Sequence, residues 1–321
     1  MDYEFHYYIT GLVAYSGGFS KEEAEVIAYA SQYVDDNEFS LTVSDNTTGE
    51  KYRTIITQTV DIALPLRDLD AIYPVFHFVP GDGGCAGLRC DGRTNPLCVT
   101  ADSSRSRAIM QAAFLSAPAA RLYRIGIASH TFADTFSHQG FTGTTDRFNR
   151  LNGFWPLPVG HSNAGLQPDW CGNLWQDTRL IKRVIDNSER FIQAAKRLYQ
   201  CYRCYLAGQG RGSNSSLDVL EGSIRDIESC AAIGDFGKEF RLWHYREMMP
   251  WLPEYDRWNW FNDAVEPEAT GFGKYPYKVF PWAFRFNWKV ERGKTHWFMF
   301  QEAAKEHQRF VLLMIQPLLQ R

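Results

Sequence analysis

The sequence predicts a mainly α single domain of 321 residues, and three observations carry that prediction. Apolar residues recur at helical spacing in most segments, with capping signals at several of their ends. Only one segment, Phe39 to Thr59, alternates in the β-branched manner of strands. The stretches 80–102 and 139–176 show little periodicity, are rich in Gly, Pro and polar residues, and read as long loops. The expected architecture is a multi-helix domain with a small β-hairpin insertion.

Residues 3–16 read as an aromatic and aliphatic helix stopped by Gly17-Gly18. Ser20 and Glu23 form a capping box for a second helix, KEEAEVIAYASQYVDD, with Ala24, Ile27, Ala28, Tyr29 and Val34 at helical spacing. That helix ends on Asp35 and Asp36, where two carboxylates oppose the macrodipole. A bound cation or plain solvation are the two accounts. SLTVS and YRTIITQTV flank DNTTGE as a hairpin. His77 follows in VFHFVPG, where a hydrogen-bonded core histidine is the simpler reading of the residue alone. SSRSRAIMQAAFLSA reads as a helix, and Pro118 starts the next. Leu122, Ile125, Ile127, Ala128, Phe132 and Phe136 make this next helix apolar nearly all round, as a central buried helix would be.

Beyond the second loop, Asp177 to Leu206 reads as a long helix and GQGRGSNSS as a linker. Leu217 to Ile233, Phe236 to Met249 and His296 to Leu319 read as further helices. The aromatic stretch 251–295 reads as irregular chain packed on the helical body. One domain, 1–321, therefore divides into a half rich in candidate ligands, 1–176, and a helical, aromatic-rich half, 177–321. His244, His296 and His307 lack His or acidic neighbours at ligand spacing and are assigned to structure. No GxSxG, Walker or kinase pattern occurs, and GQGRG follows a helix, so it is no dinucleotide fingerprint.

Composition narrows the function classes. Hydrophobic content is 45% and charged content 22%, ordinary for a globular chain, while 15% aromatics is high and points to an aromatic core or pocket. A net charge of −3 argues against a broad basic nucleic-acid surface. No apolar run approaches the roughly 20 residues that span a bilayer. The N-terminus lacks a basic region and a small-residue cleavage site, so the expected compartment is the cytosol, with export by a non-classical route left open. Cys85, Cys90 and Cys98 cluster in the first loop, and Cys201 and Cys204 form CYRC. A structural zinc or a redox pair is one reading of each group, but unpaired thiols are expected in a cytosolic chain without a second CxxC.

The densest chemical signal is RIGIASHTFADTFSHQGFTG. His130, Asp134 and His138 stand at i, i+4 and i+8, and each step advances about 40° around a helix, so the three lie on one winding stripe. All are good ligands for divalent metals. Burying them on an apolar helix is costly unless they are paired or coordinated. His6, Asp35 or Asp36, His77, His161 and Asp169 are the other candidates.

In chain order, these residues resemble the superfamily of zinc-dependent phospholipases C and single-strand nucleases. Its members are mostly helical and hold a trinuclear zinc cluster. His130 and Asp134 match the family's HxxxD, His138 its next His, and His161 with Asp169 its final pair. YVD ending at Asp35 resembles the aromatic-x-Asp that closes the second helix. Within the superfamily, the chain looks closest to a bacterial branch marked by DFHYY-like, YASQYVDD-like, FHF-PG and GH…PD segments. The resemblance covers residues 1 to about 170.

The resemblance implies a zinc-dependent phospholipase C-like fold and two to three Zn2+ ions. Asp35 (or Asp36), His77 and His130 would hold one, and His138, His161 and Asp169 a second. Asp134 would bridge the first to a third, which His6 helps bind. Met1 lies five residues before His6, as the N-terminal residue does in the nucleases, where its amine and carbonyl are ligands. Asp2 is too bulky for routine removal of the initiator, so a free Met1 amine is expected there, with Glu4 as the rival. The interval from His161 to Asp169 is longer than the family's, and His138 follows Asp134 more closely than in the nucleases. Asn163 or a water is the alternative to Asp169.

The implied activity is hydrolysis of a phosphodiester or phosphomonoester by a zinc-bound hydroxide, with Asp35 or Asp36 assisting proton removal and Asp134 organising the metals. The expected substrates are a lipid headgroup, a nucleotide or a short single-stranded nucleic acid. The alternative is a catalytically inactive metal-binding structural or interaction protein of the same fold.

Overall fold

The computed structural model describes residues 1–59, 69–151, 159–229, 237–269 and 284–320. The predicted helix ends at Ile233 and Phe236, Val60 of the hairpin, and residues 270–283 of the aromatic stretch lie outside them. The chain is mainly helical with a small sheet.

A π-helical turn, Glu4–Ile9, runs into α1, Thr10–Gly17. Gly18 ends α1 in the left-handed conformation (φ 112°), where an added Cβ would meet the Gly212 carbonyl. The expected capping box opens α2, Lys21–Asp36: the Glu23 N–H donates to Ser20 Oγ and the Ser20 N–H to Glu23 Oε2. Then follow α3 (Ser104–Phe114) and α4 (Pro118–Ser137), the latter buried without interruption from Tyr123 to Ser137. Helices α5 (Asn187–Ala207), α6 (Leu217–Ser229), α7 (Lys238–Met248), α8 (Asn259–Ala264) and α9 (His296–Leu319) complete the set among the described residues.

Helix α4 is the hub, packed by α2, α3, α5 and α9. It approaches α2 tightly at Gly126, where an added Cβ would lie 2.6 Å from Ala30 Cβ and 2.6 Å from the Ile27 carbonyl oxygen. One apolar core cluster runs from Met1 to Ile315 and so joins both halves of the chain.

The predicted hairpin forms in shortened form, with β1 (Thr42–Ser44) antiparallel to β2 (Lys51–Arg53), while residues 54–59 of the expected second strand form no strand. It belongs to a larger sheet, however. β1 also pairs in parallel with β6 (Phe284–Trp288), which pairs antiparallel with β5 (Val265–Ala269), giving the order β2-β1-β6-β5. The stretch read as irregular thus supplies α8 and two strands. A second hairpin, β3 (Leu174–Gln176) with β4 (Val184–Asp186), delays the start of α5 to Asn187. Asp186 caps α5 by accepting from the Ser188 N–H.

The expectation of unpaired thiols fails at one place. Cys85 and Cys98 form a buried disulfide, their Cα atoms 5.9 Å apart, a pairing more usual in oxidising compartments. Cys90, Cys171, Cys201 and Cys204 are free thiols. No helix of the described residues is long and apolar enough to cross a membrane.

Candidate metal centre

Five segments bring the predicted residues together. His6 comes from the π-helical N-terminal turn, Asp35 from the end of α2, and His77 from a second π-helical turn, Tyr73–His77. His130 and Asp134 lie on the buried face of α4, and His138 is its C-cap. His161 and Asp169 come from the loop after residue 158, where a 3-10 turn, Ser162–Ala164, folds the long interval back on itself.

Asp134 sits at the middle. Its Oδ2 lies 3.3 Å from both His77 Nδ1 and His130 Nε2, while its Oδ1 lies 3.1 Å from His6 Nε2 and against the Met1 amine. The two oxygens of one carboxylate therefore face two separate groups of donors. Asp35 Oδ1 is 3.7 Å from His77 Nδ1 and from His130 Nε2. On the far side, Asp169 Oδ1 lies 2.9 Å from His138 Nε2, and its Oδ2 lies 3.0 Å from His161 Nε2. Asp169 Oδ1 also lies 3.2 Å from the Met1 amine. Three sets, His6-His130-Asp134, Asp35-His77-His130 and His138-His161-Asp169, each gather their ligand atoms within 4.8 Å.

The outer nitrogens of four histidines decide what the inner ones can do. His130 Nδ1 donates to the Ser31 carbonyl (2.9 Å), His77 Nε2 to Thr57 O (2.9 Å), His138 Nδ1 to His77 O (2.8 Å) and His161 Nδ1 to Gly165 O (2.8 Å). A carbonyl only accepts, so each outer nitrogen carries the proton, and a neutral ring then presents a bare nitrogen inward. His77 Nδ1 and His130 Nε2 face each other at 3.0 Å. Two lone pairs do not approach so closely without a proton or a cation between them. The inner nitrogens of His138 and His161 face a carboxylate in the same way. An N–H to a backbone carbonyl behind a ligating nitrogen is the usual outer support of a metal-bound histidine. The donor set therefore fits divalent cations.

Electrostatics favour neutral rings at His6, His130 and His138, whereas at His161 burial is outweighed by the Asp169 carboxylate, which raises the ring. Burial pushes the His6 ring down to about 4, with the Met1 amine adding to the effect, and burial drives His130 well below and His138 below the usual range. Burial would raise Asp134, but the Met1 amine, His138, His130 and His6 outweigh it and hold the carboxyl well below its ordinary value. Asp35 goes the other way: burial and the Asp134 charge push it well above. Burial would lower the Met1 amine, yet Asp134, Asp169 and Asp35 together raise it to about 11.

Two predicted residues lie elsewhere. Asp36 turns away from the cluster, accepting from Gln32 Nε2 (3.0 Å) and Tyr255 OH (2.7 Å) and pairing with Arg257 (3.3 Å). The unfavourable carboxylate at the end of α2 is thus neutralised by an arginine of the C-terminal half, and Asp36 lies outside the three ligand sets. Glu4 makes a buried bidentate pair with Arg241 (2.8 and 2.9 Å), so the rival to Met1 is already neutralised. Glu4, Asp2 and Cys171 form a fourth cluster of possible ligands, but Asp2 is paired with Lys238 (3.1 Å). Asp169, not Asn163, stands between His138 and His161.

A cavity of about 440 Å³ opens onto the cluster, with Glu38, Gln58, Tyr73, Phe78 and Leu166 in its walls. Sequence reading missed these wall residues and the four supporting carbonyls. The walls carry no motif, and a backbone carbonyl has no side-chain signature.

A family model described as "Family of unknown function (DUF6765)" matches residues 1–315, and the chain belongs to that family. No curated protein and no solved structure matches it.

Proposed function

We propose that this member of the DUF6765 family is a metal-dependent phosphoesterase that hydrolyses a phosphodiester or phosphomonoester at a di- or trinuclear site, with zinc the expected metal. One observation carries the reading: the two oxygens of Asp134 face two donor groups, and a third group lies beside them at the foot of an open cavity. Clustered divalent ions supply phosphate neutralisation and a water of lowered pKa.

The chain's own residues then do the rest. His77, His130 and Asp35 would hold the first ion, His138, His161 and Asp169 the second, and His6 with the Met1 amine the third, Asp134 joining first and third. Asp35 is about a quarter exposed at the cavity, so it is placed to assist removal of a proton from an attacking water. No Lys or Arg stands among the described residues lining the cavity, which leaves substrate charge to the ions. Tyr73, Phe78 and Leu166 offer apolar contact to a base or to a lipid's glycerol region.

The test is elemental analysis of the untagged protein together with turnover of bis-p-nitrophenyl phosphate. Two to three metal ions per chain with turnover are expected, and His130→Ala and Asp134→Asn should each lose metal and at least about a hundredfold of activity. An N-terminal extension should remove one ion of three and spare the others. Full activity in either variant would refute the site. Stoichiometric metal without turnover of any phosphoester would favour the structural or interaction role.

A further inference from the structure

A second cavity, of about 790 Å³, lies between the end of α4, the first turns of α5, the β3–β4 hairpin and the loop at Gly87-Leu88. Its size falls within the roughly 300–1,000 Å³ of small-molecule sites. Phe136, Leu180 and Ile185 form a buried apolar floor, whereas Leu88, Ile181 and Val184 stand at the rim 41%, 66% and 50% exposed. The rim is braced: the Ile181 N–H donates to Leu88 O and the Cys90 N–H to Arg179 O, both at 2.9 Å.

The charges around this groove are unequal in their partners. Asp102 is held by Arg197 and Arg107, Glu189 by Arg225, and Asp186 is spent capping α5. Lys182 and Arg190 have no carboxylate at ion-pair distance among the described residues. Arg190 is half-buried and donates through Nη1 to Ser137 O (3.0 Å), its one hydrogen bond among the described residues. Burial pushes its guanidinium down to about 10. Asp177 acts on Arg190 only at longer range and is itself paired with Arg179. An apolar groove with a planar guanidinium free of a direct carboxylate partner among the described residues complements a single carboxylate on an aliphatic tail. The acids nearby are already paired or capping, and Arg190 disfavours a cation.

We propose that this groove binds an aliphatic monocarboxylate, its head on Arg190 and its chain along Leu88, Ile181 and Val184. The proposal is independent of the metal centre. Calorimetric titration of the full chain with decanoate, 1-decanol and decyltrimethylammonium tests it. Decanoate should bind saturably at one per chain and at least about tenfold more tightly than the other two. Arg190→Gln should weaken it about tenfold or more. Because Arg190 also holds the end of α4, the exposed rim variant Val184→Asp serves as a second test and should weaken binding similarly without altering metal content. Binding should survive stripping of the protein with EDTA. Equal binding of the three probes, unchanged binding in both variants, or loss of decanoate on stripping would each overturn the proposal.

Discussion

Asp35 and Asp36 are chain neighbours with different surroundings. One helical step rotates a side chain by about 100°, which turns Asp35 toward His77 and His130 and Asp36 toward Arg257 and Tyr255. Asp35→Asn is expected to lower metal retention and phosphoester turnover by at least tenfold with little loss of stability. Asp36→Asn should do the reverse, costing roughly 1–3 kcal/mol through its charged hydrogen bonds and leaving metal content intact. Denaturant titration beside elemental analysis separates the two. Equal metal loss in both would mean that either carboxylate can serve.

At the scale of elements, the centre depends on how closely α2 and α4 cross. Gly126 makes that approach possible, and Ser31 of α2, one turn before Asp35, accepts the outer proton of His130 of α4. A methyl group at Gly126 meets backbone and Ala30 rather than a flexible side-chain end, so the helices themselves must separate. Gly126→Ala should therefore destabilise by roughly 1–3 kcal/mol, despite the better helix propensity of alanine. It should also weaken metal binding, because both Asp35 and the Ser31 carbonyl move with α2. A thermal melt and a metal-competition titration check the two effects. A gain in stability would show that the interface yields more easily than its geometry indicates.

Over the whole molecule, the C-terminal half meets the N-terminal turn and α2 through charged pairs. Arg241 takes Glu4, Arg257 takes Asp36, and the half-buried Glu228 places its carboxylate out of solvent near Glu4 and Arg241. Burial, reinforced by the nearby Glu4 charge, raises the Glu228 carboxyl to about 8. Its unfolded value is 4.5, so its contribution is fully present below that pH and is lost as the pH rises to about 8. Glu228→Gln should therefore stabilise by roughly 1–3 kcal/mol at pH 9 and by nothing measurable at pH 4. Melting temperatures across that range check the sign, and a pH-independent difference would place the effect in packing instead.

Much of this was legible in the residues themselves. Helical periodicity and capping chemistry are local, so α2 with its capping box, the buried α4, and the stripe of His130, Asp134 and His138 follow from positions a few residues apart. The order of the candidate ligands is equally a property of the chain. Only the tertiary structure turns Asp35 toward the histidines and Asp36 away, and sets the Met1 amine on Asp134 and Glu4 on Arg241, because the partners Arg257, Tyr255 and Arg241 lie more than 200 residues away. The four-stranded sheet was hidden for a related reason. Its strands are three to five residues long, and β1 finds β6 across most of the chain. The Cys85–Cys98 pairing depends on loop geometry that spacing does not encode. Local pattern specifies which groups lie on one face of an element. Which of those groups meets a ligand, an arginine or a carbonyl is set by long-range packing.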